Sequence, residues 1–462
     1  MPEGGWLDLP PERMRELGHQ VVDLLVDHLT GLREQPVQRL ATPAELRDVL
    51  ADPVPERPSD PGELIAFLTG EVMARSLRLG HPGCLAFVPS ANNFLSVLGD
   101  LIAAGFNTSP GAWPVGAGPA AIELVTARWL AELLGLPDGS GGVFTPGGTL
   151  ANLTALAAAR DERLGEDPTG AVLYCSDQTH PAVLRACHVL GLREVRLLPT
   201  RLSPTDLRQE ILADRLAGRR PFLVLANAGT TGTGAIDPLP ELAALCREEN
   251  LWLHVDGAHG AAAALTTRGR AVLAGLAEAD SVVIDPHKWL FQPYEIGCLL
   301  LRDPAVLHRA FAIDRFRAHA GYLEIARGEA NLSDHGVQFT TAARAVKLWL
   351  SFKGFGVAAF RAAIDHGLDQ AERAATLIAA HPELELAAGP SLGIVCLRYR
   401  PGDPETQSAI CREVNRTGRT LIATTTVDGA QALRLCTINP RTTAADLDEV
   451  LAAIVRAGRR LT

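Results

Sequence analysis

Lysine is nearly absent from this chain. Of 43 cationic side chains in 462 residues only Lys288, Lys347 and Lys353 are lysine, and the other forty are arginine. Where a surface cation is ordinarily written as arginine, a retained lysine is a candidate for work that guanidinium cannot do, chiefly nucleophilic amine chemistry. Paired cysteine motifs are also missing. The eight cysteines are dispersed with no CxxC, which argues against a zinc site and against a disulfide scaffold. They read as reduced, mostly buried thiols of a cytoplasmic protein, and no metal is expected. No apolar run reaches the ~18 residues of a membrane span. Residues 1–6, Met-Pro-Glu-Gly-Gly-Trp, lack the basic and apolar segments of a secretory signal. Excess positive charge is lacking too. The formal charge is −10, which argues against a general nucleic-acid binder.

What remains is ordinary globular composition, 47% hydrophobic and 21% charged, with ample length for a core. Residues 1–80 read as a helical, proline-punctuated segment, too broken to hold a core of its own and expected to wrap a second subunit. From about residue 120 helices alternate with short apolar runs, notably 171–175, 222–226, 251–255 and 281–284. That alternation predicts an α/β unit with a mostly parallel sheet covered on both faces. We expect this large unit to span 81–360, with a long mobile loop at 315–336, and a small α+β unit to occupy 361–462.

Ligands of such sheets sit beyond the carboxyl ends of the strands. Three polar clusters fall there, Thr230-Thr231, Asp256 to His259 and Asp285 to Lys288, and Gly147-Gly148-Thr149 opens a helix. Glycine N–H groups and a helix N-terminus form a phosphate cradle. Lys288, in a partly dry cleft, is expected to have a lowered pKa and to form an imine. Asp256 suits a ring nitrogen, and His180 a ring face. Each has a bland reading: a snorkelling strand-end lysine, a turn carboxylate, a capping histidine. Together with the cradle they make pyridoxal 5'-phosphate the economical reading.

SDQTH at 176–180, HVDGAHG at 254–260 and DPHKW at 285–289 resemble the group II pyridoxal-phosphate decarboxylases, which act on aromatic amino acids, glutamate or cysteine sulfinate. The similarity runs from His81-Pro82 to the NPRTT of 439–443. It implies a fold-type I, aminotransferase-like homodimer with the active site at the subunit interface, and an amino acid as substrate. By position, Lys288 would be the imine-forming lysine, Asp256 the pyridinium partner, His180 the stacking ring and Ala258 the packing on its other side. Gly148 and Thr149 would contact the phosphate, with Asp285 and His287 close by. Thr231 would lie near the ring, and Ser90 on the substrate side.

The chain departs from the family in places. Asp285 stands where asparagine is common, and a carboxylate beside phosphate must be paired or turned away. The family's loop tyrosine, which protonates Cα, has no counterpart in 331–336, our placement of that stretch. His335, within it, and Tyr322, upstream, are the candidate donors. The expected reaction is decarboxylation of an L-amino acid to the amine. The alternatives are decarboxylation coupled to oxidative deamination, giving an aldehyde, and an inactive homologue serving as a partner subunit. Phe87, Phe106 and Trp113 suit an aromatic pocket wall or plain core packing.

Overall fold

A computed structural model describes residues 7–316 and 330–462. Its larger sheet has seven strands: β1 (Gly141–Thr145), β2 (Ala171–Ser176), β3 (Glu194–Leu198), β4 (Arg220–Asn227), β5 (Trp252–Asp256), β6 (Ser281–Ile284) and β7 (Gly297–Leu301). Their spatial order is β1-β7-β6-β5-β4-β2-β3. Strands β2 to β6 pair in parallel, while β7 runs antiparallel to both β6 and β1. The cause is local: the connection 285–296 holds no helix to make a crossover. The mostly parallel sheet expected from the sequence is present, and β1 and β7 are its unforeseen edge.

Side chains alternate across this sheet. Val172 and Tyr174 of β2 join one core with Val224, Val255 and Val282, whereas Leu173 and Cys175 join a second with Leu223, Leu225 and Val283. Both faces are thus dry, as helix-covered parallel sheets require. Truncating such a side chain to alanine typically costs about 2–5 kcal/mol.

A second sheet holds β8 (Leu384–Ser391), β9 (Ile394–Tyr399), β10 (Ala423–Val427) and β11 (Ala430–Cys436), antiparallel in the order β10-β11-β9-β8. The terminal helix Ala444–Leu461 covers it through Leu447, Val450, Leu451, Ile454 and Val455, a helical stripe. Thr443 and Asp446 form the capping box that starts this helix. The boundary expected at 360–361 falls inside one helix, Ala345–Ala380, which breaks from helical geometry at Gly356.

The first 80 residues are helical over Pro11–Thr30, Pro43–Val49 and Pro61–Phe67. Leu17 is the single buried residue of these three helices. Among the described residues no helix is long and apolar enough to cross a membrane. Seven of the eight cysteines are buried, none in a disulfide.

Candidate functional site

The parallel strands end on a cavity of about 220 Å3. β2 delivers residues 177–180, β4 the turn 227–231, β5 ends on Asp256, and β6 leads into Asp285 to Lys288. Across from them the helix Gly148–Leu164 begins with no side-chain cap. Gly148, Thr149, His180, Thr231, Asp256, Ala258, Asp285, His287 and Lys288 all line this one cavity. Residues up to 140 positions apart thus meet because a doubly wound sheet aligns its strand ends.

The residues present fit pyridoxal phosphate on two observations. A Cβ on Gly148 would stand 2.9 Å from Asp285 Oδ2 and 3.3 Å from Ala258 Cβ, and one on Gly147 would stand 3.0 Å from His287 Cε1. The cradle is therefore one that only glycine leaves open. The donor set is also right for the group: one amine, one carboxylate with no lysine or arginine ion pair among the described residues, and uncapped helix N–H groups.

The field around Lys288 differs from the expected one. Burial acts to lower its pKa, but the carboxylate of Asp285 at 2.9 Å, with Asp256 adding to the field, leaves it raised. The predicted depression is thereby corrected: the cleft is covered but not free of negative charge. The same contact pairs the Asp285 carboxylate that the sequence left in question. His287 is held neutral by burial, against the pull of Asp285. Its Nδ1 accepts the Ile296 N–H at 3.2 Å, so Nε2 carries the proton and points at Asp285 Oδ2, 3.5 Å away. His180 caps the helix Pro181–Val189, its Nδ1 accepting from the Ala182 N–H at 3.2 Å. Burial lowers its pKa as well. The capping and the cavity-lining readings of His180 are both satisfied by one ring.

Three expected residues are not gathered here. Ser90 lies on the wall of a larger, apolar cavity of about 730 Å3, and its Oγ donates to the Gln292 carbonyl at 3.1 Å. His335 is not brought to the cofactor cavity of its own chain. Its turn, Leu332–His335, is pinned where Ser333 N–H donates to Gly111 O and Asp334 Oδ1 accepts from Ile313 N–H. The ring rests edge-on to His308 at 6.4 Å. Tyr322 lies outside the described residues. Phe87 and Phe106 are exposed, and Trp113 is half-buried, so core packing does not explain the first two.

Several residues at the site were given no role of their own from the sequence. His254 and Asn152 are buried beside Asp256. The period-two alternation of β5 already placed His254 on the face of Asp256. His259 stacks on Trp289 at 5.6 Å and its Nε2 donates to the Leu392 carbonyl at 2.9 Å. Its Nδ1 has no partner, and burial pushes its pKa down to about 3. Arg434 of β11 is buried, its Nε donating to the Thr231 carbonyl at 2.9 Å and its Nη1 to the Phe87 carbonyl at 2.6 Å. Nothing in its sequence neighbourhood distinguishes it from the other arginines.

Comparison with known proteins follows the same line. A family model described as the pyridoxal-dependent decarboxylase conserved domain matches residues 43–400. The aromatic-L-amino-acid decarboxylase of Bacillus atrophaeus is 42% identical, over 97% of this chain and 96% of that one. The phenylacetaldehyde synthase of Petunia hybrida is 30% identical, over 84% of this chain and 80% of its own. Among solved structures, Oryza sativa TDC with PLP and tryptamine superposes with a TM-score of 0.92, at 26% identity, covering 99% of this chain and 100% of the other.

Proposed function

Because the chain belongs to the pyridoxal-dependent decarboxylase family, and is thus a pyridoxal-phosphate-dependent amino-acid decarboxylase of fold type I, we propose that its substrates are aromatic L-amino acids and its product the corresponding amine. The observation that carries the substrate class is the near full-length similarity to the Bacillus enzyme. The reading as an inactive partner subunit has no support beside it.

When bound, pyridoxal phosphate supplies an electron sink for the pair released as the Cα–carboxylate bond breaks. The chain's own residues supply the rest of our reading. Lys288 holds the aldehyde. Asp285, 2.9 Å from its Nζ, pairs with the amine and holds it at the cavity wall. Asp256 would partner the ring nitrogen, and a carboxylate there would favour the protonated ring. His180 and Ala258 would bracket the ring. The helix start at Gly148 and Thr149 would receive the phosphate, with Thr231 and His287 completing the wall. Ser90 reaches substrate only through the larger cavity. We assign Cα protonation to Tyr322, whose phenol is a donor, and not to His335, which this chain keeps away from its own cavity. We further propose a homodimer with its active site at the subunit interface and, from the unpaired cysteines, a cytoplasmic location.

Released carbon dioxide across a panel of amino acids tests this reading. We expect kcat/KM for aromatic substrates to exceed that for glutamate or cysteine sulfinate by on the order of 100-fold. Preference for an acidic substrate overturns the assignment. The Petunia relative favours a second product, an aldehyde. The parent should yield amine without oxygen uptake, and Tyr322→Phe should shift toward aldehyde and ammonia with oxygen consumed. Aldehyde from the parent would reverse the choice.

A further inference from the structure

From the wall of the cavity, where Asn152 stands beside Asp256, back into the sheet, four buried polar side chains form a continuous line. Trp252 Nε1 donates to Ser281 Oγ at 2.8 Å. Ser281 Oγ lies 2.7 Å from His254 Nδ1. His254 Nε2 lies 2.8 Å from Asn152 Oδ1, and Asn152 Nδ2 donates to Asp256 Oδ2 at 3.1 Å. Trp252, Ser281, His254 and Asn152 are all buried. They come from three elements, β5, β6 and the helix Gly148–Leu164.

The ends of this line dictate its direction. An indole N–H can only donate, and an ionised carboxylate can only accept. Since the carboxylate accepts, the amide of Asn152 must turn its NH2 to Asp256 and its oxygen to His254. His254 Nε2 must then carry a proton. At the other end Ser281 accepts from Trp252 and keeps both its hydrogen and a second lone pair for His254 Nδ1. The bonds therefore require a proton on Nε2, and burial, which pushes the His254 pKa down to about 4, keeps the ring neutral. A neutral ring protonated at Nε2 has a bare Nδ1, which accepts the Ser281 hydroxyl hydrogen at 2.7 Å.

We propose that Trp252, Ser281, His254 and Asn152 form a one-way hydrogen-bond relay that fixes the rotamer and the charge of Asp256 toward the cofactor ring nitrogen. His254 and Asn152 are its positioning residues. The relay delivers neutral donors only. With the Ala258 N–H on Oδ1 at 3.1 Å, both carboxylate oxygens are held while the negative charge is left for a cationic ligand to balance. A cation supplied by the protein at this point would cancel the charge. A bare apolar wall would drive Asp256 to take up a proton.

The inference rests on Asp256 as the ring-nitrogen partner, and its test separates the two. In protein labelled with 15N-histidine, His254 should show the neutral Nε2–H form throughout pH 5–8. A charged or Nδ1–H ring at pH 7 overturns the relay whatever the variants do. In holoenzyme carrying 15N-labelled pyridoxal phosphate, the ring nitrogen should be protonated in the parent. It should lose protonation in His254→Leu, with the cofactor Kd weakened roughly tenfold, as for partners of metal-bound groups. It should recover both in His254→Gln, which can accept at one end and donate at the other. If Asp256→Asn shifts the ring nitrogen and His254→Leu does not, the relay alone fails. If Asp256→Asn leaves it unshifted, the reading beneath it fails too.

Discussion

Two of the three lysines sit in covered sites with opposite consequences. Lys288 faces the cavity, whereas Lys347 is sealed, its Nζ donating to Asp100 Oδ2 at 2.8 Å and to the Pro293 carbonyl at 3.1 Å. Scarcity in the sequence marked the lysines as a set without separating them. The structure does so for Lys347: a guanidinium is too wide for the ammonium's place. We expect Lys347→Arg to cost about 1–3 kcal/mol, read as a lowered Tm, with the exposed Lys353 neutral to within about 0.5 kcal/mol. Lys288→Arg should keep apoprotein stability but abolish the visible absorbance of bound cofactor and cut turnover by orders of magnitude. A retained spectrum would remove Lys288 from its role. A second residue, Glu123, was invisible as sequence because a lone glutamate on a helix reads as solvated. It is buried, accepts the Phe144 N–H at 3.0 Å, and burial pushes its pKa up to about 7. The folded chain therefore holds a proton that the unfolded chain has released between about pH 4.5 and 7. Stability from this group is whole below pH 4.5 and is lost as pH rises through 7. Glu123→Gln keeps the acceptor without the charge. Its Tm advantage over the parent should be larger at pH 8 than at pH 5, by up to about 3 kcal/mol of stability. An equal difference at both values counts against the assignment.

At the scale of elements, what could be read was what repeats. The buried parallel strands are short β-branched and leucine-rich runs, and their polar ends name the cavity wall. β1 and β7 were missed because Gly141-Gly142 and Gly297 open them and glycine carries no pattern. The helix Phe94–Phe106 was missed for a different reason. One face packs on Ala345–Ala380, while Leu101, Ile102 and Phe106 on other faces are exposed, so no polar stripe marks it as amphipathic. The helix start at Gly147-Gly148 was legible as a weak signal whose meaning came from its neighbours. Its geometry gives a sharp expectation. In Gly148→Ala the new methyl would crowd Asp285 and Ala258, while alanine itself favours the helix. Cofactor affinity should fall by roughly tenfold or more with apoprotein Tm little changed, since the methyl displaces ligand space more than core. Equal affinity in a titration of apoprotein with pyridoxal phosphate would place the phosphate elsewhere.

For the whole molecule, the decisive feature is where apolar surface is left over. Met14 and Val26 of the first helix, Leu64 and Phe67 of the third, and Leu68 and Met73 beyond it are exposed, on a segment whose three helices bury one residue between them. Leu101, Phe106, Val115, Phe339 and Phe355 add exposed apolar area on the body of the chain. Scattered exposed leucines need no explanation, but this many on a segment with so little core of its own does. A second copy of the chain is the occupant we propose, because a two-fold interface lets the helical segment of each subunit cover the body of the other. The monomer would then have little reason to hold residues 7–73 in place, and the dimer would gain stability with protein concentration. Size-exclusion chromatography with light scattering should give twice the chain mass, and Tm should rise with concentration. Deleting residues 1–80 should give inactive protein that is insoluble or monomeric. An active, soluble monomer from that deletion would refute the arrangement, and Phe106→Asp, which adds a charge at the exposed patch without touching the cofactor cavity, should weaken the dimer while leaving the monomer folded.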